Sequence, residues 1–233
     1  MTNDGKLSGP VSGSQAIALA GEPLELLPQR AAFHRATATV LVADVHLGKA
    51  ASFRALGVPV PAGTTQSTLH RLETVVMEQS ARTLIILGDL LHSAQAHRAG
   101  VVQALADWRR RHPGLLIKLV PGNHDARAGT LCDDAGVEVL PTPARLGPWQ
   151  LLHEPSDDSS SPPWIAGHVH PVYALKTRTD RLRLPVFWRV GSGLVLPSFG
   201  DFTGGWAIPG TGVRDSFVTD GERVYSLSLR APG

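Results

Sequence analysis

Cysteine is almost absent from this chain of 233 residues, and its single Cys132 excludes an internal disulfide. The apolar neighbour Leu131 favours a partly buried, unreactive thiol over a nucleophile, so we assign Cys132 no role. No apolar run approaches the ~18 residues that a membrane-spanning helix needs. Residues 1–20 lack a basic start followed by an apolar stretch and a small-residue cleavage site. These absences lead us to expect a soluble, cytoplasmic protein with no membrane association.

A large excess of one charge is also missing. The formal net charge is +2 and the isoelectric point is about 9.0, which permits nucleic-acid binding without requiring it. For the basic cluster Arg109–Arg111 we favour cations at the end of a helix. A second basic group is expected on a hairpin, where phosphate binding and a solvated strand face are equally good interpretations. Its members are Lys176, Arg178, Arg181 and Arg183.

Length and composition favour one α/β domain. A chain with 42% apolar and 18% charged residues can bury one sizeable core. The beginning of the chain is rich in glycine, serine and small side chains, so we expect residues 1–20 to form a flexible leader. No internal repeat or linker marks a second domain, so we assign residues 21–233 to a single domain.

Three apolar segments predict buried strands, and helical patterns separate them. The segments are Thr39–Ala43, Thr83–Leu87 and Leu115–Val120. Apolar residues between them fall at helical spacing, at Leu69, Leu72 and Val76 and then at Val101, Leu105 and Trp108. This alternation predicts a parallel sheet with right-handed crossovers.

Later segments change character and predict a second, more antiparallel sheet packed on the first. They are short, and proline, glycine, serine and aspartate separate them. The strand candidates are Trp149–His153, Trp164–Ala166, Arg183–Trp188 and Arg223–Ser228.

Acidic and histidine residues form five short clusters in order along the chain. They are Asp44-Val45-His46, Gly88-Asp89, Gly122-Asn123-His124-Asp125, His153 and Gly167-His168-Val169-His170. The first three clusters directly follow predicted strands, and ligands collect at the carboxyl ends of parallel strands. Carboxylate and imidazole groups bind divalent metals of intermediate hardness. Any one histidine alone is more often a surface or core residue, but the ordered set favours a metal site.

These residue types favour a centre with two metals. Two cations about 3.5–4 Å apart can share one carboxylate, activate a bridging water and neutralise a phosphoryl group during in-line attack. Asp89 is the candidate bridge. Asp44 and His46 can project to one metal if the chain turns after the strand. The candidate ligands of the other metal are Asn123, His153 and one histidine of the Gly167–His170 turn.

His124 follows a candidate ligand but need not bind metal itself. It is better placed to contact the phosphate and to protonate the leaving oxygen, with Asp125 orienting its ring. The histidines outside the clusters are interpreted as ordinary solvent-facing residues. These are His34, His70, His97 and His112.

The five clusters resemble the pattern of the calcineurin-like metallophosphoesterase superfamily: Asp-x-His, Gly-Asp, Gly-Asn-His-Asp/Glu, His and Gly-His-x-His. The match spans residues 44 to 170. The resemblance implies an α/β four-layer sandwich, in which two packed mixed β-sheets are flanked by helices. It also implies the metal ligands, which are Asp44, His46, Asp89 and His170 for one ion and Asp89, Asn123, His153 and His168 for the other.

Residues outside the metal pattern resemble a narrower group, the PdeM-like ligase-associated DNA-damage-response endonucleases. They are His46-Leu47-Gly48-Lys49-Ala50, Phe53-Arg54, Gly57-Val58-Pro59-Val60-Pro61, His153-Glu154-Pro155, Phe187-Trp188 and the run from Pro197 to Gly205. This resemblance implies manganese-dependent cleavage of DNA in repair, with a helicase and an ATP-dependent DNA ligase as partners. We expect the DNA to be single-stranded. Glu154 stands where many superfamily members carry glycine, and Val190–Gly193 matches no part of the pattern.

The narrower resemblance suggests substrate contacts as well. His92 matches a histidine that related repair nucleases place beside the substrate phosphate. Lys49 and Arg54 are expected to bind flanking DNA backbone, although solvated charge is the competing interpretation. Phe202 is expected to stack on a splayed base, whereas Trp206 is expected in the core.

The leading functional interpretation is a manganese-dependent DNA endonuclease and phosphodiesterase. A small-molecule phosphodiesterase or nucleotide pyrophosphatase is the alternative, because the same metals would cleave any accessible phosphodiester. A metal-free binding scaffold is disfavoured because no candidate ligand is missing. An open basic cleft would indicate a nuclease, and a capped pocket would indicate a small-molecule enzyme. The ligands also accept iron or zinc.

Overall fold

The computed structural model describes residues 13–55, 57–61, 63–92, 99–125, 136–176, 181–209 and 215–227. Cys132, His97 and Arg178 lie outside these ranges, as do residues 1–12 of the predicted leader. Within them the chain forms two β-sheets and three α-helices.

The first sheet has seven strands whose spatial order is their order in the chain. They are β1 (Gln15–Leu19), β2 (Glu22–Leu27), β3 (Ala31–His34), β4 (Thr39–Ala43), β5 (Thr83–Leu87), β6 (Leu116–Val120) and β7 (Val137–Val139). Strands β1 to β4 pair antiparallel, and β4 to β7 pair parallel. The three strands predicted before the acidic clusters are therefore confirmed, with β6 one residue shorter at its start.

Strand β1 corrects the prediction of a flexible leader. Its residues pair antiparallel with β2, and Leu19 is fully buried. The pairing is closed by the two-residue turn Ala20-Gly21, in which both residues have positive φ as such hairpin turns require. A leader through residue 20 is therefore wrong for Gln15–Leu19, whose small side chains still alternate between the two faces of a sheet.

The helices are α1 (Lys49–Ala55), α2 (Thr64–Glu78) and α3 (Ala99–Arg111). Helix α2 buries Leu69, Leu72 and Val76, and α3 buries Trp108, in one apolar cluster with the outer face of the first sheet. Both helices were predicted from their apolar spacing and are confirmed. Among the described residues, no helix is long and apolar enough to cross a membrane.

The second sheet is mixed and is built mainly from antiparallel pairs. Its strands are β8 (Ala144–Leu146), β9 (Trp149–Leu151), β10 (Trp164–Ala166), β11 (Pro171–Lys176), β12 (Arg181–Val190), β13 (Gly193–Val195), β14 (Trp206–Ala207), β15 (Ser216–Thr219) and β16 (Val224–Leu227). Their order is β14-β11-β12-β13-β10-β9-β8, and β15 and β16 continue from β12. The predicted basic hairpin is formed by β11 and β12. The unplaced segment Val190–Gly193 is the turn that joins β12 to β13.

The inner faces of the two sheets share a second apolar cluster. Leu41 and Leu87 of the first sheet meet Ile165 and Phe187 of the second in this layer. The predicted α/β sandwich of two packed mixed sheets is therefore confirmed. In the part of the chain that the structure describes, helices cover only the first sheet, because the outer clusters of the second sheet contain strand and loop residues alone.

Candidate metal centre

The candidate ligands occupy left-handed turns that follow the strands. After β4 the φ angles of Asp44 and His46 are 52° and 48°, and after β5 that of Asp89 is 50°. Beyond β10, His168 and His170 have φ angles of 69° and 50°. Positive φ is uncommon for residues other than glycine, and groups of such residues indicate a functional site. The turns bring side chains from both sheets to one place.

Three glycines allow these side chains to approach closely. A Cβ atom on Gly88 would lie 1.8 Å from Nδ1 of His153, and one on Gly122 would lie 2.4 Å from Oδ1 of Asp89. A Cβ atom on Gly167 would lie 2.7 Å from a carboxylate oxygen of Asp44. Each glycine thus contacts a candidate ligand from another part of the chain, and a larger residue in its place would displace that ligand.

We expect Gly88→Ala to displace His153 and to lower the free energy of unfolding. Gly21→Ala is the matched control, because Gly21 has φ 80° against 76° for Gly88 and nothing lies within 4 Å of its added Cβ. Both variants carry the cost of a left-handed alanine, about 1–2 kcal/mol. Gly88→Ala should lose a further 1–3 kcal/mol or so from overpacking, measured by urea denaturation. Equal losses in the two variants would show that His153 is not tightly packed.

Asp44, His46 and His170 form the first group of possible ligands. Nε2 of His170 lies 3.3 Å from Nε2 of His46 and 3.5 Å from Oδ1 of Asp44. Asp44 is fully buried, and its Oδ1 accepts no hydrogen bond from the described residues. Burial, followed by the charge of Lys49, lowers the pKa of His46 to about 2, so its ring is neutral. A neutral imidazole and an unsatisfied buried carboxylate oxygen fit a cation.

Asp89 forms a second group with Asp44 and His153 and lies between the first group and the histidines of the second sheet. Its Oδ2 is 3.8 Å from Nε2 of His46, and its Oδ1 is 3.7 Å from Nε2 of His153. The backbone N–H of His124 also donates to Oδ1, at 3.0 Å. The two carboxylate oxygens therefore face different histidines, as a carboxylate shared by two metals requires.

A third group, with Glu154, lies on the exposed side of the centre. Nε2 of His153 is 3.1 Å from Nδ1 of His168, and Nε2 of His168 is 3.9 Å from Oε1 of Glu154. The side-chain amide of Asn123 donates to the same Glu154 oxygen at 2.6 Å. The structure thus brings the seven sequence-predicted ligands together and adds Glu154, whose role the sequence left open.

His92 and His124 lie beside the first group. Their rings stack with centroids 5.2 Å apart, and they lie edge-on to the ring of His46 at 5.5 and 5.4 Å. Burial, followed by the charge of Lys49, lowers the pKa of His92 to about 4. His92 is therefore neutral near pH 7 and can donate a hydrogen bond to a phosphate oxygen.

Asp125 does not orient His124 as predicted. Its carboxylate accepts the backbone N–H groups of Gly122 at 3.0 Å and Leu91 at 3.3 Å. Among the described residues, no hydrogen bond joins Asp125 to the ring of His124. The reason is local, since an aspartate at the end of a turn readily accepts nearby backbone amides. Asp125 therefore fixes the loop that carries Asn123 and His124.

The segment after β13 supports the turn at Asp44. The hydroxyl of Ser198 donates to the Asp44 carbonyl at 2.9 Å, and the N–H of Gly200 donates to the same carbonyl at 3.1 Å. The N–H of Phe199 donates to the carbonyl of Ala43 at 2.8 Å. Part of the Pro197–Gly205 motif thus holds the backbone of a candidate metal ligand.

The two cations predicted to bind DNA differ in their surroundings. Lys49 begins α1, and burial lowers its pKa although the charges of Asp44 and Asp89 act in the opposite direction. These two charges place its side chain near the centre. Arg54 is exposed, but its guanidinium donates to the carbonyl of Pro61 at 2.8 Å. Lys49 is thus the better placed of the two to meet an anion at the centre.

Phe202 and Trp206 are both at the surface, with 48% and 47% of each residue exposed. The core position expected for Trp206 is wrong, because Trp206 begins the two-residue edge strand β14. Its ring lies 5.3 Å from that of Trp188. The prediction that His34 faces solvent is also wrong, because His34 is buried and its ring lies 3.0 Å from a carboxylate oxygen of Glu22.

Solved structures include a close relative of this chain. The crystal structure of the Pseudomonas putida nuclease MPE is 39% identical in sequence, with a TM-score of 0.81, and the alignment covers 92% of this chain and 100% of that chain. Yfce, a phosphoesterase from E. coli, is 18% identical with a TM-score of 0.38 and coverages of 72% and 83%, which is too distant to support an inference. No protein-family model matches the chain, and neither does any curated protein.

Proposed function

The chain belongs to the calcineurin-like metallophosphoesterases, in the family of the Pseudomonas putida nuclease MPE, and from this premise we propose that it cleaves phosphodiester bonds in DNA. Membership makes it a metal-dependent hydrolase. The observation that carries the proposal is the position of Asp89, whose two carboxylate oxygens face His46 on one side and His153 on the other. That position supports a site for two ions at which a phosphodiester can be attacked.

Both ions would be held by side chains from the two sheets. We propose Asp44, His46, Asp89 and His170 for one ion and Asp89, Asn123, His153 and His168 for the other. The unsatisfied Oδ1 of Asp44 supports this assignment. Imidazole and carboxylate donors accept manganese, iron or zinc, and the narrower motif resemblance favours Mn²⁺. Because neither sheet holds a full set, we propose that the two sheets, β1 included, act as one catalytic domain.

The bound ions would activate a water and neutralise the phosphoryl group. The chain's own side chains perform the remaining steps. We propose that His124 gives a proton to the leaving oxygen, because its Nε2 lies 3.9 Å from Oδ2 of Asp89 and its side chain is partly exposed. The neutral ring of His92, stacked on His124, would donate a hydrogen bond to a phosphate oxygen.

The open side of the centre supports a long substrate. Asn123, Glu154 and His168 are exposed there, and a strand of DNA can lie across such a surface. We therefore favour DNA, as a single strand, over a small phosphodiester or a nucleotide pyrophosphate, which a capped pocket would suit better. We also propose a role in cytoplasmic DNA repair with a helicase and an ATP-dependent ligase, which the motif resemblance supports.

One assay tests this proposal. Purified protein is incubated with Mn²⁺, Fe²⁺ or Zn²⁺ and with two substrates, circular single-stranded DNA and bis-p-nitrophenyl phosphate. We expect Mn²⁺ to support hydrolysis of both, and cutting of a circle requires endonuclease action because a circle has no ends. Hydrolysis of the nitrophenyl diester alone would favour the small-molecule alternative. Absence of both hydrolysis and metal binding would favour the metal-free scaffold.

Glu154→Ala should weaken binding of one metal about 10- to 100-fold, the usual effect of losing a group that orients a ligand. The reason is its 2.6 Å contact with the Asn123 amide and its place beside His168. Glu154→Gln is the matched variant, because it keeps an oxygen that can accept from Asn123. Calorimetric titration with Mn²⁺ measures both affinities. Wild-type affinity in Glu154→Ala would remove Glu154 from the centre.

A further inference from the structure

A cavity of about 350 Å³ adjoins the metal centre and has no role in the assignments above. His170, a candidate ligand, forms part of its wall, so the cavity lies beside the place where a phosphodiester would be cleaved. Arg30, Arg183 and Phe202 line it as well. Its volume is at the small end of the range for ligand sites, about 300–1,000 Å³, and suits a single nucleotide.

Positive charge is in excess around this cavity. Nη1 of Arg30 lies 3.5 Å from Oδ1 of Asp201, and Nη1 of Arg71 lies 3.2 Å from the same oxygen. Arg183 donates to the neutral carbonyl of Gly205 at 2.5 Å. Two guanidinium groups, those of Arg30 and Arg183, thus line the cavity with one carboxylate, that of Asp201, and Arg71 already shares this carboxylate. Burial, followed by repulsion from Arg71, lowers the pKa of Arg30, and a bound anion would offset both effects.

Phe202 adds an aromatic surface to the wall of the cavity. The residue is about half exposed, and its φ is 59°, a backbone angle that is unfavourable for a bulky residue. The carbonyl of the next residue, Thr203, accepts from Nδ1 of His170 at 3.0 Å. The backbone that presents Phe202 is therefore tied to a candidate metal ligand, and its strain indicates a functional position.

We propose that this cavity binds the nucleotide adjacent to the scissile phosphodiester, with its phosphate against Arg30 and Arg183 and its base against Phe202. The inference rests on the proposed nuclease function. Guanidinium groups bind phosphate through charged hydrogen bonds, and an aromatic ring stacks on any base, so the site would accept DNA without a sequence preference. A nucleotide within a DNA chain is favoured over a free nucleotide because a candidate metal ligand, His170, forms part of the cavity wall.

Two variants test the proposal without disturbing the Arg30–Asp201 ion pair. Arg183→Gln removes a cation from an exposed position on β12, and Phe202→Ala removes the ring. Arg110→Gln is the control of equal charge change, because Arg110 is exposed in the last turn of α3, which leads to the start of β6 and away from the metal centre.

The substrates are a single-stranded oligothymidylate, the same strand with abasic sites flanking the cut, and bis-p-nitrophenyl phosphate. Arg183→Gln should lower the ratio of oligonucleotide to nitrophenyl kcat/KM about tenfold and reduce the salt slope on DNA by about 0.7. Phe202→Ala should lower the same ratio about tenfold on the intact strand and have little further effect on the abasic strand. Arg110→Gln should behave as wild type.

The outcomes separate this proposal from the function on which it rests. If the wild type hydrolyses the nitrophenyl diester but no oligonucleotide, the proposed nuclease function is wrong. If it cuts the oligonucleotide and both variants keep the wild-type ratio, the nucleotide subsite alone is wrong. Parallel losses on the two substrates would place these residues in the metal centre and overturn the subsite. Weaker inhibition by thymidine 5′-monophosphate with unchanged DNA cleavage would assign the cavity to a free nucleotide and also overturn it.

Discussion

Asp89→Ala is expected to lower kcat/KM on every phosphodiester by about 10³-fold or more, because the proposed ions would supply several kcal/mol of transition-state stabilisation. Asp89 is the candidate shared ligand, with oxygens 3.8 Å from His46 and 3.7 Å from His153. Removing it deprives both ions of a carboxylate at once. Rates on oligonucleotide and nitrophenyl substrates are measured at saturating Mn²⁺, together with the number of ions bound per chain.

Asp89→Asn separates metal binding from support of the fold. The amide oxygen can still accept the backbone N–H of His124, which donates to Asp89 at 3.0 Å, but it carries no charge to share between two cations. We expect Asp89→Asn to unfold at the wild-type urea concentration and to remain as inactive as Asp89→Ala. Near-wild-type hydrolysis by either variant with metal added in excess would remove Asp89 from the centre.

His124→Ala should keep the bound metals and lose turnover by about 10²–10⁴-fold on DNA, the usual contribution of a general acid. The His124 side chain belongs to none of the three ligand groups, and its ring stacks on His92 beside them. The loss should be much smaller on bis-p-nitrophenyl phosphate, because nitrophenolate leaves readily without a proton.

His92→Ala is the matched comparison for that experiment. If the neutral His92 ring only donates a hydrogen bond to the phosphate, its removal should lower both rates by a similar factor, whatever the leaving group. Each variant is assayed on both substrates at saturating Mn²⁺. A loss for His124→Ala that is equal on DNA and on the nitrophenyl diester would exclude the proton-donor role.

The first sheet shows which strands the pattern of apolar residues can predict and which it cannot. Strands β4, β5 and β6 are parallel neighbours with both faces covered, so each is a short apolar run ending just before a ligand or turn. Strand β1 was missed because small residues and one half-exposed face give little apolar signal over five residues. Strand β14 was missed because two residues at a sheet edge carry almost no signal at all.

The candidate ligands could be predicted because each belongs to a short motif at the end of a strand. Contacts between segments that are distant in the sequence could not be predicted in this way. The amide contact of Glu154 with Asn123 depends on how β9 and β6 end in space, and the sharing of Asp201 by Arg30 and Arg71 depends on the loop after β13. Asp125 shows that a motif can also mislead. The motif predicted a contact with the His124 ring, but the Asp125 carboxylate accepts a hydrogen bond from the loop backbone instead.

The most direct test of the account is a count of the metal ions together with their magnetic coupling. Protein stripped by chelation is titrated with Mn²⁺ in a calorimeter, and the loaded protein is examined by electron paramagnetic resonance. We expect two ions per chain with the spectrum of a coupled pair, because both ions would share Asp89. One ion per chain, or two ions with the spectra of isolated Mn²⁺, would contradict a centre built around that carboxylate.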